Sequence, residues 1–272
     1  MRYIKQYLDI VKITKSENTY KTYQNALHLW FPNNKVNLQL DYISSVLNDW
    51  KGVSDNTIAL RCQILKKFID YLREKGKNQD YQMVTKLLNQ FKTKETVPEV
   101  VTVEQYKEIL KYTDLRTEII IDLMYQNGLR VSEVANILTK NYDYENSNIV
   151  LLDTKNGNDY KIILTTELND KIHNLLSTKD IKSEYLLHTS SGNKLIDSYI
   201  RRLVKNVCIK AGFGNLHCHS FRHGSAVLLL NSNVNLFTIK EHLRHKTIGS
   251  TQRYLHITDK QRNEIANIFS SI

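Results

Sequence analysis

In the stretch HSFRHGSAVLLLN, residues 219–231, two histidines and an arginine lead into an apolar run. If that run is a helix, His219, Arg222 and His223 sit at i, i+3 and i+4 and share one face near its start. Three chemistries use such a face: a satisfied buried histidine pair, a metal site, or a cluster that grips a phosphate. The spacing of the histidines suits a metal, and His217 and Cys218 are close by. Arg222, a fixed cation on the same face, opposes a divalent ion, and no HExxH glutamate is present. A buried pair accounts for one histidine, but not for a permanently charged arginine between two of them.

Three further stretches bear on the choice. NGLRVSEV places Arg130 just after a helix-ending glycine, with Glu133 three residues on. NIVLLDTKNGNDYKIILT holds two Val/Ile/Leu-rich runs around Asn156-Gly157, a dipeptide suited to a type I′ hairpin turn, with Lys155 beside it. TIKEHLRHKTIGSTQRYLH places Tyr254 nine residues after His245. Taken singly, each has an ordinary role: Arg130 a helix-end cation, Lys155 a turn lysine, Tyr254 one of sixteen tyrosines.

The elements that would position these residues read mostly as helices. TYKTYQNALHLWF repeats Tyr20, Tyr23, Leu27, Trp30 and Phe31 at helical spacing. In SDNTIALRCQILKKFIDYLREKG, Ser54 or Asp55 can cap a helix that ends at Gly76. Its apolar stripe is Ile58, Ile64, Leu65, Phe68, Ile69 and Leu72. The opposite face carries Arg61, Lys66, Lys67 and Arg73, a solvated face or a groove-facing one. FKTKETVPEV reads as a linker; after it TVEQYKEILKY and TEIIIDLMYQNG predict two helices, and everything after about Glu167 reads helical again.

With 272 residues, 41% of them hydrophobic, and only two prolines and nine glycines, the chain can build packed cores. No window is apolar enough to cross a bilayer and MRYIKQYLDI is unlike a signal peptide, so a soluble, uncleaved chain is expected. Three scattered cysteines suit a reducing cytosol and give no disulfide framework. The net charge of +10 is unevenly spread: +7 over residues 1–92, −5 over 93–197 and +8 over 198–272. Two basic blocks around an acidic one can clamp a polyanion, and nucleic acid is the natural one. A generic basic composition is the plainer alternative.

In order and spacing, Arg130 in GLRVSE, Lys155 on the hairpin, His219, Arg222 and His223 in HSFRH, His245 in HLRH and Tyr254 resemble the catalytic set of the tyrosine recombinase (phage integrase) family. The N-terminal helical stretches resemble that family's core-binding domain, so the resemblance covers nearly the whole chain. It implies a mainly α fold with a small antiparallel β-sheet. It further implies a helical, SAM-like core-binding domain over 1–92, a linker over 93–100, and a mixed α/β-hairpin catalytic domain over 101–272.

The resemblance also implies roles. Arg130 and Arg222 hold nonbridging phosphate oxygens in place of metal ions, so no cofactor is expected, and His219 and His245 add hydrogen bonds or help move a proton. Tyr254 is the nucleophile that forms a 3′-phosphotyrosyl link, Lys155 protonates the leaving 5′ oxygen, and Glu133 and His223 support. Double-stranded DNA is the implied partner, bound by a tetramer on paired sites that is a monomer when free. Arg61, Lys66, Lys67, Arg201, Arg202, Lys205 and Arg244 are the candidate DNA contacts, and no membrane is involved.

The chain looks like a simple two-domain recombinase of Xer-like size, without an extra N-terminal module. Ile265, Ile268, Phe269 and Ile272 would line a terminal helix docking on a neighbouring subunit or on its own domain. Two positions depart from the family pattern. Arg244 replaces its usual glycine; if that glycine serves only close packing, activity survives the change, and an arginine there can add a phosphate contact, while Gly224 can loosen the helix that carries Arg222. A type IB topoisomerase and a binding protein that no longer cleaves are the competing readings.

Overall fold

The computed structural model describes residues 2–77, 81–94, 98–152, 159–178 and 183–256. The chain divides into two compact units, Met1–Thr96 and Val97–Ile272.

The first unit is helical throughout its described elements: α1 (Arg2–Thr14), α2 (Glu17–Trp30), α3 (Leu40–Asp49), α4 (Asp55–Glu74) and α5 (Gln82–Leu88). Ser16 caps α2 and Ser54 caps α4, each accepting the backbone N–H three residues on. The apolar faces of α1, α2 and α4 close on Tyr7, Leu27, Trp30, Phe31, Leu65 and Phe68, all buried. Trp30 stacks edge-on to Trp50 at 4.5 Å, and its ring N–H donates to the Arg61 carbonyl at 3.1 Å, so the buried indole leaves no polar group unmatched.

The second unit begins with α6 (Val103–Leu110), where Thr102 and Gln105 form a reciprocal capping box with bonds of 3.2 and 3.0 Å. Next comes α7 (Leu115–Tyr125), capped by Asp114 and buried from Ile119 to Tyr125. Helices bury every side only when they run through the centre of a domain. The short α8 (Val131–Ala135) follows a turn at Gly128, whose φ of +59° is a left-handed value that glycine adopts freely.

The sheet is antiparallel in the order β1 (Tyr142–Asp143), β2 (Asn148–Leu151), β3 (Tyr160–Ile163), with Ile149 opposite Ile162. The β2 and β3 runs agree with the two apolar stretches around Asn156-Gly157, while the turn itself and Lys155 lie outside the described residues. The two-residue β1 carries too short a pattern to be read from sequence. Then follow α9 (Thr166–Ser177), α10 (Asp197–Lys210), α11 (Cys218–Asn231), α12 (Leu236–His242), α13 (Gly249–Gln252) and a single 3₁₀ turn, Arg253–His256.

Residues 183–196 correct the expectation of continuous helix after Glu167. They form a looped segment with two isolated bridges, Leu138 to Tyr185 and His188 to Lys194. Part of the cause is local: Thr189, Ser191 and Asn193 tie their side chains to one another and to the turn backbone, and Gly192 takes φ of +79°.

Gly224 also behaves otherwise than expected. It loosens nothing: the helix is continuous through it, and a Cβ there would overlap the Val101 carbonyl oxygen and meet the Tyr125 ring at 3.0 Å. The Val101 N–H donates to the Ser220 carbonyl at 3.1 Å, so the segment before α6 lies directly on α11. A glycine-to-alanine change inside a helix ordinarily gains about 1 kcal/mol. Here Gly224→Ala is expected to reverse that sign and cost about 1–3 kcal/mol, because backbone, not a flexible side chain, must move. The urea unfolding midpoint of the variant against the parent chain checks it.

Candidate active site

Four segments of the second unit converge: the Gly128–Glu133 turn, the start of α11, the residues after α12, and the 3₁₀ turn carrying Tyr254. Arg130 is the N-cap residue of α8, and Glu133 reaches back to it twice. One carboxylate oxygen accepts the Arg130 backbone N–H at 2.8 Å, the other its guanidinium at 2.5 Å. That spacing, three residues apart at a helix start, is what the GLRVSE motif encodes.

Arg222 points inward from α11 and is 3% exposed. Its two terminal nitrogens donate to the carbonyls of Gly128 and Leu243. Burial, then the neighbouring Arg130, pulls its guanidinium down to about 9, which still leaves it protonated at neutral pH. Burial alone would raise the Glu133 carboxyl. Arg244, the Arg130 backbone N–H and the charges of Arg130 and Arg222 outweigh it and hold Glu133 below the usual carboxylate range.

His217 and Ser220 cap α11 reciprocally, which fixes where the helix starts and so where His219 and Arg222 stand. His219 lies at the surface, its ring 6.3 Å from that of His223. Partial desolvation, then Arg201, His217, Arg222 and Arg130, holds it below the ordinary histidine value, so it is neutral at physiological pH. Tyr254 is 1% exposed and packs among Ala226, Leu230, Ile239 and Leu243. Its hydroxyl lies 2.8 Å from Nδ1 of His223, and its ring stacks at 6.5 Å on that of His245. His245 is held in turn by Thr251, a buried residue 2.7 Å from its Nδ1. Thr251 was not singled out from sequence; its position one turn before Tyr254, on the same face, was the available signal.

The structure therefore brings Arg130, Glu133, His219, Arg222, His223, His245 and Tyr254 into one neighbourhood. Lys155 and the Ile265–Ile272 stretch lie outside the described residues. Among the proposed DNA contacts, Arg201 is exposed and bears on His219. Arg202 is also exposed and lies over the Tyr199 ring, and Lys205 ties down the loop carbonyls of Gly214 and Leu216. In the first unit, Arg61 stacks over Trp50 at 4.6 Å, Lys66 donates to Asn89 and Lys67 to the Tyr23 hydroxyl. Arg244 is not on the surface at all: its side chain is 5% exposed and engages Glu133 and the carbonyls of Asn127, Gly128 and His242. Its φ of +52° explains why the family pattern has glycine here, since an L-residue in that region costs about 1 kcal/mol.

Comparison with known proteins gives this arrangement its family. The model of the Phage integrase family matches residues 99–261. Tyrosine recombinase XerA of Pyrococcus horikoshii is 30% identical over 255 residues, 92% of this chain and 87% of that protein. The chain belongs to the phage integrase family of tyrosine recombinases. The fold agrees. The Tn1549 transposon integrase in complex with transposon right end DNA superposes with a TM-score of 0.76 at 17% identity, covering 97% of this chain and 98% of the other. A lambda integrase tetramer bound to a Holliday junction gives 0.75 at 12% identity, covering 93% and 76%. In this recombinase the motif residues all fall within the matched span.

One neighbour of the cluster sets an acid limit on stability. His242, partly buried, accepts or donates one hydrogen bond with Ser225 at 3.2 Å. Burial, then Arg244 and Arg222, depresses it to about 4. The folded value lies below the unfolded value near ~6.5, so as pH falls the unfolded chain takes up its proton first. Stability is thus intact above about 6.5 and is lost down to about 4, by about 2–3 kcal/mol. His242→Asn is expected to narrow the difference between the melting temperatures at pH 7 and pH 5, measured side by side with the parent chain.

Proposed function

We propose that the chain is a site-specific DNA recombinase that cleaves and rejoins DNA strands through a 3′-phosphotyrosyl link to Tyr254. The observation that carries this reading is the 2.8 Å contact between the Tyr254 hydroxyl and His223, on the helix that also bears His219 and Arg222. A phenol with an ordinary pKa near ~10 is a poor nucleophile unless a base or cations assist it. Here a histidine stands at its oxygen and the Arg222 charge is within its electrostatic reach.

In the proposed reaction the Tyr254 oxygen attacks the scissile phosphorus and its proton passes toward His223. The bond from phosphorus to the 5′ oxygen breaks, and Lys155 protonates that oxygen as it leaves. Arg130 and Arg222 hold the nonbridging oxygens, where negative charge accumulates; preorganised donors of this kind are typically worth about 10²–10³ each in rate. His219, neutral at physiological pH, and His245 complete the donor set. The phosphotyrosyl link keeps the energy of the broken bond. A 5′ hydroxyl from another strand can therefore attack it, restore the tyrosine and reseal DNA without ATP. Paired sites need four such protomers, and the related lambda integrase is seen as a tetramer on a Holliday junction. Arg201, whose charge reaches His219, and Arg202, both exposed on α10, are proposed contacts to the DNA backbone.

Covalent trapping tests this. The full chain is incubated with DNA flanking its own gene, supplied as a nicked duplex that prevents religation, and denatured in SDS. A DNA-linked protein band supports the reading, and sequencing the trapped DNA reports the site. Binding without any band on the nicked duplex overturns cleavage. Relaxation of supercoiled plasmid lacking the site points instead to a topoisomerase.

A further inference from the structure

We propose that Arg244 is a positioning residue for the phosphate clamp: it holds Glu133, and through Glu133 the guanidinium of Arg130, without touching DNA itself. The inference rests on the recombinase reading above and goes beyond it by assigning a third arginine to the site. Arg244 occupies a left-handed backbone position that a glycine would fill without steric strain, and its side chain makes contacts that a glycine cannot.

The geometry shows what that is. One terminal nitrogen of Arg244 donates to Glu133 at 3.1 Å and to the Gly128 carbonyl at 2.8 Å; the other donates to the His242 carbonyl at 2.7 Å. The second Glu133 oxygen takes the Arg130 guanidinium at 2.5 Å. Arg130 also donates from its other terminal nitrogen to the Arg244 carbonyl at 3.1 Å. Residue 244 therefore fixes Arg130 twice, through a shared carboxylate and through its own backbone. With Arg244 removed, Glu133 is held from one side only, and the fork it orients gains freedom to turn away from the phosphate. A direct phosphate contact does not fit the same facts. Both terminal nitrogens are committed to protein acceptors and the side chain is 5% exposed.

The test is single-turnover cleavage of the nicked duplex by saturating full-length protein, with DNA affinity measured separately against salt. Adduct formation by the parent chain establishes the recombinase reading, and its failure defeats that reading whatever Arg244 does. Given an active parent, Arg244→Gly suits the backbone and removes the whole side chain, the guanidinium with it. It is expected to slow cleavage in the bound complex by on the order of 10–100-fold, the usual cost of losing an outer support. Affinity and its salt slope should stay unchanged, and millimolar guanidinium should restore part of the rate, which a merely structural loss would not allow. Arg244→Asn, tolerant of the left-handed region, repeats the measurement if the glycine variant unfolds. Glu133→Gln should slow cleavage similarly and leave little further to lose in the double variant. Cleavage at the parent rate in both Arg244 variants overturns the proposal. So does a fall of about one in the salt slope with the bound-complex rate unchanged, the mark of a lost phosphate contact.

Discussion

Replacing Tyr254 by phenylalanine is expected to abolish the SDS-resistant DNA adduct altogether while leaving DNA binding within about twofold of the parent. The change deletes one oxygen. Phenylalanine keeps the ring that packs among Ala226, Leu230, Ile239 and Leu243, so the local core is preserved. The lost hydrogen bond to His223 is worth about 1 kcal/mol, which moves the melting temperature only slightly. The measurement pairs a denaturing gel of trapped complexes with a binding isotherm on the same nicked duplex. Adduct persisting in the Tyr254→Phe chain would move the nucleophile elsewhere, and peptide mapping of the trapped species would say where.

The largest stability effect is expected at Lys171. Its ammonium lies 3.0 Å from Asp122, 2.8 Å from Glu118 and 2.6 Å from Glu167. Asp122 is completely buried in α7 and takes a second bond, 2.5 Å, from the Tyr106 hydroxyl. Burial pushes the Asp122 carboxyl up, against the pull of Tyr106 and Lys171. Lys171 loses some charge preference to its own desolvation, but its three carboxylates hold it well above an ordinary amine. Lys171→Met fills the space and deletes the only ammonium bonded to Asp122 among the described residues. A buried carboxylate left without its partner costs about 3–5 kcal/mol. Denaturant unfolding should show that loss. The double variant Lys171→Met, Asp122→Asn should recover part of it, because the stranded charge is gone. Equal losses in the single and double variants would mean that packing, not charge, carries the effect.

Much of the site was legible because its residues lie close in sequence. His219, Arg222 and His223 are one helical turn, Arg130 and Glu133 are one capping interval, and His245 and Tyr254 are nine residues apart. Short-range periodicity reports such sets directly, and the resemblance to recombinases joined them. The helix caps at Ser54 and the two runs around Asn156-Gly157 were legible for the same reason. What escaped depends on distant backbone. Gly224 is small because Val101, more than a hundred residues earlier, crosses it. Arg244 looked like a surface cation because nothing in HLRHK reveals that residue 244 turns left-handed and aims its side chain inward. Residues 183–196 lack helix where Glu184 and Leu186 pair with the distant backbone of Ile137 and Thr139 and where serine, threonine and asparagine side chains compete for the local backbone, neither of which apolar periodicity registers.

The anchoring of Arg222 has a consequence for how such a site can drift. Its two partners are the carbonyls of Gly128 and Leu243, which belong to every amino acid alike. No single codon change can delete either acceptor; only a change in the path of the chain can. Position 243 must keep that path and an apolar side chain, because Leu243 is completely buried, whereas position 128 is constrained by its backbone. There, φ is +59°, and a Cβ would come within 2.7 Å of Leu243. The grip on the charge is thus encoded in the route of the main chain, with a left-handed glycine at one of its two holding points.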